Sequence, residues 1–170
     1  MAGVSLFDST KIIKEHLESL KSFIQFQMDA YGRNASNKHV NSLQVEASAG
    51  YGVLTGLSSW NFMETGRSGG KVPHNFRSII YQWSIDKGIQ IESIPYKRSG
   101  EHKYSPEERG RWRFAYFVSR KIMEEGTTLF RSGVREDIYS SAINREVNAI
   151  MKESAFRISG VIDNVNKEIL

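Results

Sequence analysis

Side chains that could do chemistry are few, and most fail on spacing. The segment Gly66-Arg67-Ser68-Gly69-Gly70-Lys71-Val72-Pro73 invites a phosphate-loop reading. A Walker loop needs four residues between its glycines and a Ser or Thr after its lysine. Here three residues separate Gly66 from Gly70, and Val72 follows Lys71. The four histidines, His16, His39, His74 and His102, include no pair at helical or hairpin metal-ligand spacing. His16 falls on a predicted helix and the others in loops, where exposed or capping roles are the expectation. The pairs Glu107-Glu108 and Glu124-Glu125 sit at predicted helix ends, where dipole and solvation effects explain them better than an acid/base dyad. The serines form no nucleophile elbow and no serine–lysine motif. Cysteine is absent, which removes disulfides, thiolate ligands and cysteine nucleophiles. The expectation is a protein with no catalytic, cofactor or metal site, and not an enzyme.

One charged constellation remains. Between Lys97 and Arg135 there are ten Lys/Arg against five acids, while the whole chain carries a formal net charge of +4. Arg109, Arg113 and Arg120 lie with Trp112 along one predicted helix, a combination that can grip backbone phosphates. The competing reading makes Trp112 a core residue and the arginines a solvated face, because acids are interspersed at pairing distance. That reading is preferred here.

The elements that would position these groups follow from periodicity. Ile13, Leu17, Leu20, Ile24, Met28 and Tyr31 recur at spacings of three and four, which predicts a helix over about 10–31. Ser9 or Thr10 can cap its start and Gly32 can stop it. Phe23 and Phe26 fall off the stripe and predict burial on a second side. Residues 34–41 are polar and read as a loop. Leu43, Val45 and Ala47 alternate with polar residues and lead to a second extended piece ending near Leu57, a hairpin turning near Ser48–Gly52. Trp60–Glu64 reads as a short helix or turn. A helix over about 75–87 has Phe76, Ile79, Ile80 and Trp83 on one face, Asn75 as cap and Gly88 as stop. Ile89 and Ile91 predict a short strand near 89–92. Ser93–Tyr104 reads as a basic loop. Ser105-Pro106-Glu107-Glu108 is a strong start signal for a helix over about 106–125, with Trp112, Ala115, Tyr116, Ile122 and Met123 on one face and Phe114, Phe117 and Val118 on another. Thr127–Gly133 reads as irregular. A long final helix, about 138–168, carries Ile143, Val147, Ile150, Ser154, Ile158, Val161, Val165 and Ile169.

At 170 residues the expectation is one α+β domain: a small antiparallel sheet packed by helices. Hydrophobic residues make up 39% and charged residues 25%, the proportions of a globular chain. No apolar run is long enough to span a bilayer, and Met1–Thr10 lacks the pattern of a signal peptide.

Three ordered segments carry a resemblance. The first is Trp60-Asn-Phe-Met-Glu-Thr-Gly66-Arg67-Ser-Gly69-Gly70-Lys71-Val-Pro73. The second is the helix closing on Trp83-Ser-Ile-Asp-Lys87-Gly88-Ile89. The third runs from Ala115 through Arg120-Lys121-Ile122 to Glu125-Gly126-Thr127. In this order the chain resembles the tail-completion, or head–tail joining, proteins of tailed bacteriophages. The match covers about 43–135, leaving the helix over 1–32 and a helical extension over 137–170 outside the family-like core. The long terminal helices and the basic loop depart from the family's usual pattern.

The resemblance implies a structural virion protein, a subunit of a hexameric or dodecameric ring in the phage neck, assembled in the host cytoplasm. Its partners would be sibling copies in a closed homo-oligomer, together with portal, adaptor and tail proteins, and passing DNA in transient contact. No membrane partner is implied. The interface candidates are Trp60, Gly66, Arg67, Gly70, Lys71, Pro73, Trp83, Gly126 and Thr127. The alternative is a basic nucleic-acid-binding protein using 97–135. Helices apolar on two sides independently favour an oligomer.

Overall fold

A computed structural model describes residues 8–169; residues 1–7, on which part of the signal-peptide expectation falls, lie outside it. The chain is α+β. In order it forms α1 (Thr10–Ala30), a short α2 (Lys38–Asn41), β1 (Gln44–Ser48), β2 (Tyr51–Thr55), a 3-10 turn (Ser58–Phe62), α3 (Phe76–Asp86), α4 (Pro106–Glu125), a short α5 (Thr128–Ser132) and α6 (Ser140–Ile169). Two compact units emerge. Among the described residues the first comprises 8–34, 38–60 and 137–169; the second comprises 35–37 and 61–136. The hairpin, grouped above with 43–135, therefore packs in the same unit as the first and last helices.

The first unit is built on aliphatic burial. Ile12, Ile13, Leu20, Ile24 and Met28 of α1 are buried, with Val40, Leu43, Ile138 and Ala142 completing the core. β1 and β2 pair antiparallel, Ser48 opposite Tyr51 and Gln44 opposite Thr55, so the turn is the two residues Ala49–Gly50. Val45 and Ala47 alternate inward as their pattern predicts. Both strands pack on α1, and α6 packs on α1 as well. Ser9 does not cap α1: its hydroxyl accepts from Gly50 N at 2.8 Å, and the Asp8 carboxylate takes the Thr10 N–H at 2.9 Å instead. Tyr31 and Phe26 are exposed, so the apolar stripe ends a turn early and the second buried side extends only to half-buried Phe23.

The second unit has a much smaller apolar interior, with Ile80 and Ala115 its only fully buried hydrophobic side chains among the described residues. α3 packs on α4. The buried face of α3 is Ile80 and Ser84, while Ile79 and Trp83 are exposed, and the Asn75 side chain makes no cap hydrogen bond. Gly88 ends α3 with φ +64°, and its N–H donates to Ile85 O. α4 starts as the sequence requires. The Glu108 N–H donates to Ser105 Oγ at 3.2 Å, and the Ser105 N–H donates to Glu108 Oε2 at 2.8 Å, a reciprocal capping box.

Three expectations are corrected. The strand near 89–92 does not form. Its backbone is held by other groups: Ile89 N donates to Ser84 O, Ile94 N donates to Pro106 O, and the Glu92 carbonyl packs so close to Gly110 that no side chain fits there. Residues 38–41 form a helical turn rather than a loop, with Val40 buried in the core. Within Thr127–Gly133 a turn of helix forms because Thr127 Oγ1 caps it, accepting from Phe130 N.

Candidate functional site

The second unit brings the motif residues together at the end of α4. There the glycine-rich loop lies against the turn that leaves the helix. Arg67 N donates to Thr127 Oγ1 at 2.9 Å, Thr127 N donates to Arg67 O at 2.9 Å, and Gly70 N donates to Met123 O at 2.8 Å. The approach is closer than any side chain permits. A Cβ on Gly126 would stand 2.6 Å from Arg67 O, and one on Gly66 would stand 2.5 Å from Phe130 N; both residues have positive φ. The Arg67 guanidinium donates to Lys71 O within the loop and lies over the rings of Phe62 and Phe76 at 5.5 and 5.7 Å. Nearby, buried Glu64, 1% exposed, receives Arg135 at 2.8 Å, and its carbonyl accepts from Glu136 N.

The interface candidates thus divide. Gly66 and Gly126 are buried, and Arg67 and Thr127 are half-buried, in contacts within the chain. Trp60, in the first unit, meets His39 edge-on at 5.9 Å; its carbonyl accepts from Tyr139 Oη and its indole N–H donates to Ser42 Oγ. Gly70, Lys71, Pro73 and Trp83 face solvent. Pro73 lines an open groove of about 580 Å³ together with Val72, Phe76, Arg120 and Met123.

The nucleic-acid candidates also divide. Arg109 is spent on structure: one guanidinium nitrogen donates to the carbonyls of Ile94 and Pro95 at 3.1 Å, and the group lies over Tyr96 at 3.9 Å. Arg120 pairs with Glu124 at 2.7 Å, and that hydrogen bond raises its already high pKa. Arg113 is exposed, 5.8 Å from the Phe117 ring centre. Trp112 is half-buried and stacked on Tyr81, 4.4 Å between centroids. The sequence reading missed Arg77, which lies over both Trp112 and Tyr116 and donates to Trp112 O at 3.1 Å. Nothing local in the sequence announces a contact across 35 positions. Arg77, Arg109, Arg113, Trp112, Tyr104, Tyr116, Phe117 and Ile94 enclose an open groove of about 560 Å³.

In the first unit His16 is neither exposed nor a cap. Its Nδ1 lies 2.8 Å from Glu146 Oε2 and its Nε2 lies 3.3 Å from Glu153 Oε2, linking α1 to α6. The hydrogen bond to Glu146 raises the imidazole above its ordinary pKa against the opposing effect of burial. Burial acts to raise the Glu146 carboxyl, but bonds from His16 and Arg145 outweigh it and hold the group low. The acids lie 130 and 137 positions away, though their seven-residue separation on one helix was a signal that both could face a common partner. Among the described residues no three His, Cys, Asp or Glu side chains converge on a metal position, and no helix is long and apolar enough to cross a membrane.

No known protein family, no curated protein and no solved structure matches this chain.

Proposed function

We propose that the chain is a structural, non-enzymatic subunit of an oligomeric ring in the neck of a tailed phage, joining portal or adaptor to tail. One observation carries the association part of this reading: the outer face of α6 is apolar and uncovered. Ile143, Val147, Met151, Ile158, Ile162 and Val165 recur at spacings of three, four and seven along one stripe, all exposed, Met151 by 63%. The inward face, with Ala142 and Glu146 buried and Ile150, Glu153 and Ser154 half-buried, is a different one. α1 packs on that inward face, so the stripe stays bare along the whole helix, which at 30 residues is about 45 Å long. A contiguous apolar stripe of this length favours a protein partner over solvent.

The neck assignment itself rests on the ordered motifs at Trp60–Pro73, Trp83–Ile89 and Ala115–Thr127. The glycine loop's geometry supports a rigid platform rather than a phosphate cradle, since its N–H groups at Arg67 and Gly70 are already bonded to Thr127 and Met123. The nucleic-acid reading has less support, because Arg109 and Arg120 are engaged within the chain.

The test is assembly. Purified virions of the encoding phage should contain the chain at ring stoichiometry, and negative-stain images of the protein with its neck partners should show closed rings. Met151→Ser with Ile162→Ser should leave a folded chain that no longer assembles. Absence from virions, or turnover of a small molecule by the purified protein, would overturn the reading.

A further inference from the structure

Most arginines of the second unit have a partner within the chain. Arg109 holds two carbonyls, Arg111 donates to Ser84 Oγ at 3.0 Å, and Arg120, Arg131 and Arg135 pair with Glu124, Glu125 and Glu64. Arg77 and Arg113 keep more of their N–H groups: Arg77 gives one nitrogen to Trp112 O at 3.1 Å, and Arg113 donates to no described residue. Neither forms an ion pair with any described acid, and both guanidinium groups lie over aromatic rings: Arg77 over Trp112 at 5.2 Å and Tyr116 at 5.3 Å, Arg113 over Phe117 at 5.8 Å. A guanidinium held on a ring face keeps for a second partner every in-plane N–H that no carbonyl takes, and it loses less freedom when that partner arrives. These groups line the groove of about 560 Å³, and no acid lines it. Tyr116 and Phe117 beside them are exposed, Phe117 by 56%. The groove therefore offers fixed cations next to bare apolar surface.

We infer that this groove docks an acidic polypeptide segment of another protein, whose carboxylates meet Arg77 and Arg113 and whose apolar side chains cover Tyr116 and Phe117. Charge complementarity selects an anion, and ring geometry selects the kind. A single strand of nucleic acid gains affinity by stacking bases on free ring faces. Trp112 already carries Tyr81 and Arg77, and Phe117 carries Arg113 and the edge-on Tyr116 ring at 5.4 Å. A nucleic acid also needs a run of cations along its backbone. Arg109 and Arg120, which would extend that run, are bonded elsewhere. A carboxylate needs only the two-pronged N–H edge of one guanidinium. This inference stands apart from the ring reading, since such a segment could come from any partner.

The experiment uses the full chain and fluorescence anisotropy at near-physiological salt. The probe is a short labelled peptide of alternating glutamate and leucine, compared with its glutamine–leucine analogue and with labelled oligothymidylate. The acidic peptide binds and the glutamine analogue does not. Arg77→Ala and Arg113→Ala each weaken binding about tenfold, as loss of one charged hydrogen-bonded contact does. Lys121→Ala, which removes an exposed charge of α4 outside the groove, leaves it unchanged. Arg113 makes no hydrogen bond to the backbone, so its variants test the groove without unfolding α4, and Arg113→Glu should shift preference toward a lysine–leucine peptide. The inference is overturned by tighter binding of oligothymidylate that is lost in the same variants. Equal binding of the glutamine analogue, an equal loss in Lys121→Ala, or no binding of the acidic peptide also overturns it.

Discussion

The two units of this chain are held by different forces. The first buries Ile12, Ile13, Leu20, Ile24 and Met28 of α1 against Val40, Leu43, Ile138 and Ala142, an interior of aliphatic side chains. The second buries little beyond Ile80 and Ala115, and relies on backbone approaching backbone at Gly66, Gly110 and Gly126 and on arginines that reach carbonyls or rings. An aliphatic interior tolerates small shifts, because dispersion and burial are non-directional. Backbone contact at glycine tolerates none, because no side chain can retract. The motif glycines are thus explained first by packing within the chain, while the bare stripe of α6 has no such explanation and points outward.

That contrast can be broken by substitution. The largest effect belongs to the aliphatic interior: Ile24→Ala should cost about 3–4 kcal/mol through lost burial and a cavity, read by urea unfolding. Gly126→Ala adds one methyl group yet should cost about 3 kcal/mol, because φ is +85° and Arg67 O stands 2.6 Å from the new Cβ. Gly160→Ala is its control. That residue lies in α6 with nothing within 4 Å of the added methyl, so the same change should stabilise by about 0.5–1 kcal/mol. If both glycine variants move stability the same way, the steric account of the second unit is wrong.

The His16 bridge sharpens the comparison, since it is the electrostatic element of the otherwise aliphatic unit. The folded-state pKa of His16 is raised, so its contribution is complete below the ordinary value of about 6.5 and drains away as pH rises through the higher folded value. The carboxyls of Glu146 and Glu153 are lowered, so theirs is present above about 4.5 and lost as pH falls through their folded values. The bridge is therefore strongest between these limits. His16→Ala should cost about 1–2 kcal/mol near pH 6 and less above pH 8, compared by thermal melts across pH. The smallest effect on folding is expected at the outer face of α6. Met151→Ser should change monomer stability by no more than about 0.5 kcal/mol, while sedimentation shows association weakened.

Much of the element order was legible because its signals are local. Ser105-Pro106-Glu107-Glu108 specifies a helix start through groups within one turn of each other, and α4 begins at Pro106. The alternation at Val45 and Ala47 produced the hairpin. The strand near 89–92 was misread because Ile89 and Ile91 alternate as a strand does, yet a strand needs a neighbour. In the second unit the chain there is bonded to α3 and α4. The α6 stripe was legible as periodicity, but periodicity does not say which of two adjacent faces meets α1.

By itself the sequence determined roughly where the long helices run, that 43–57 turns back on itself as a hairpin, and that the final helix carries a long apolar stripe. Those outcomes depend on bonds and spacings within a few residues, or on side-chain chemistry that folding does not alter. Tertiary structure decided the rest: that Gly66 and Gly126 meet each other's segments, that His16 finds Glu146 and Glu153, and that Arg77 and Arg113 lie over rings without an acidic partner while Arg120 pairs with Glu124. Each depends on which distant side chain arrives within about 3–6 Å, a distance that only the packed chain sets.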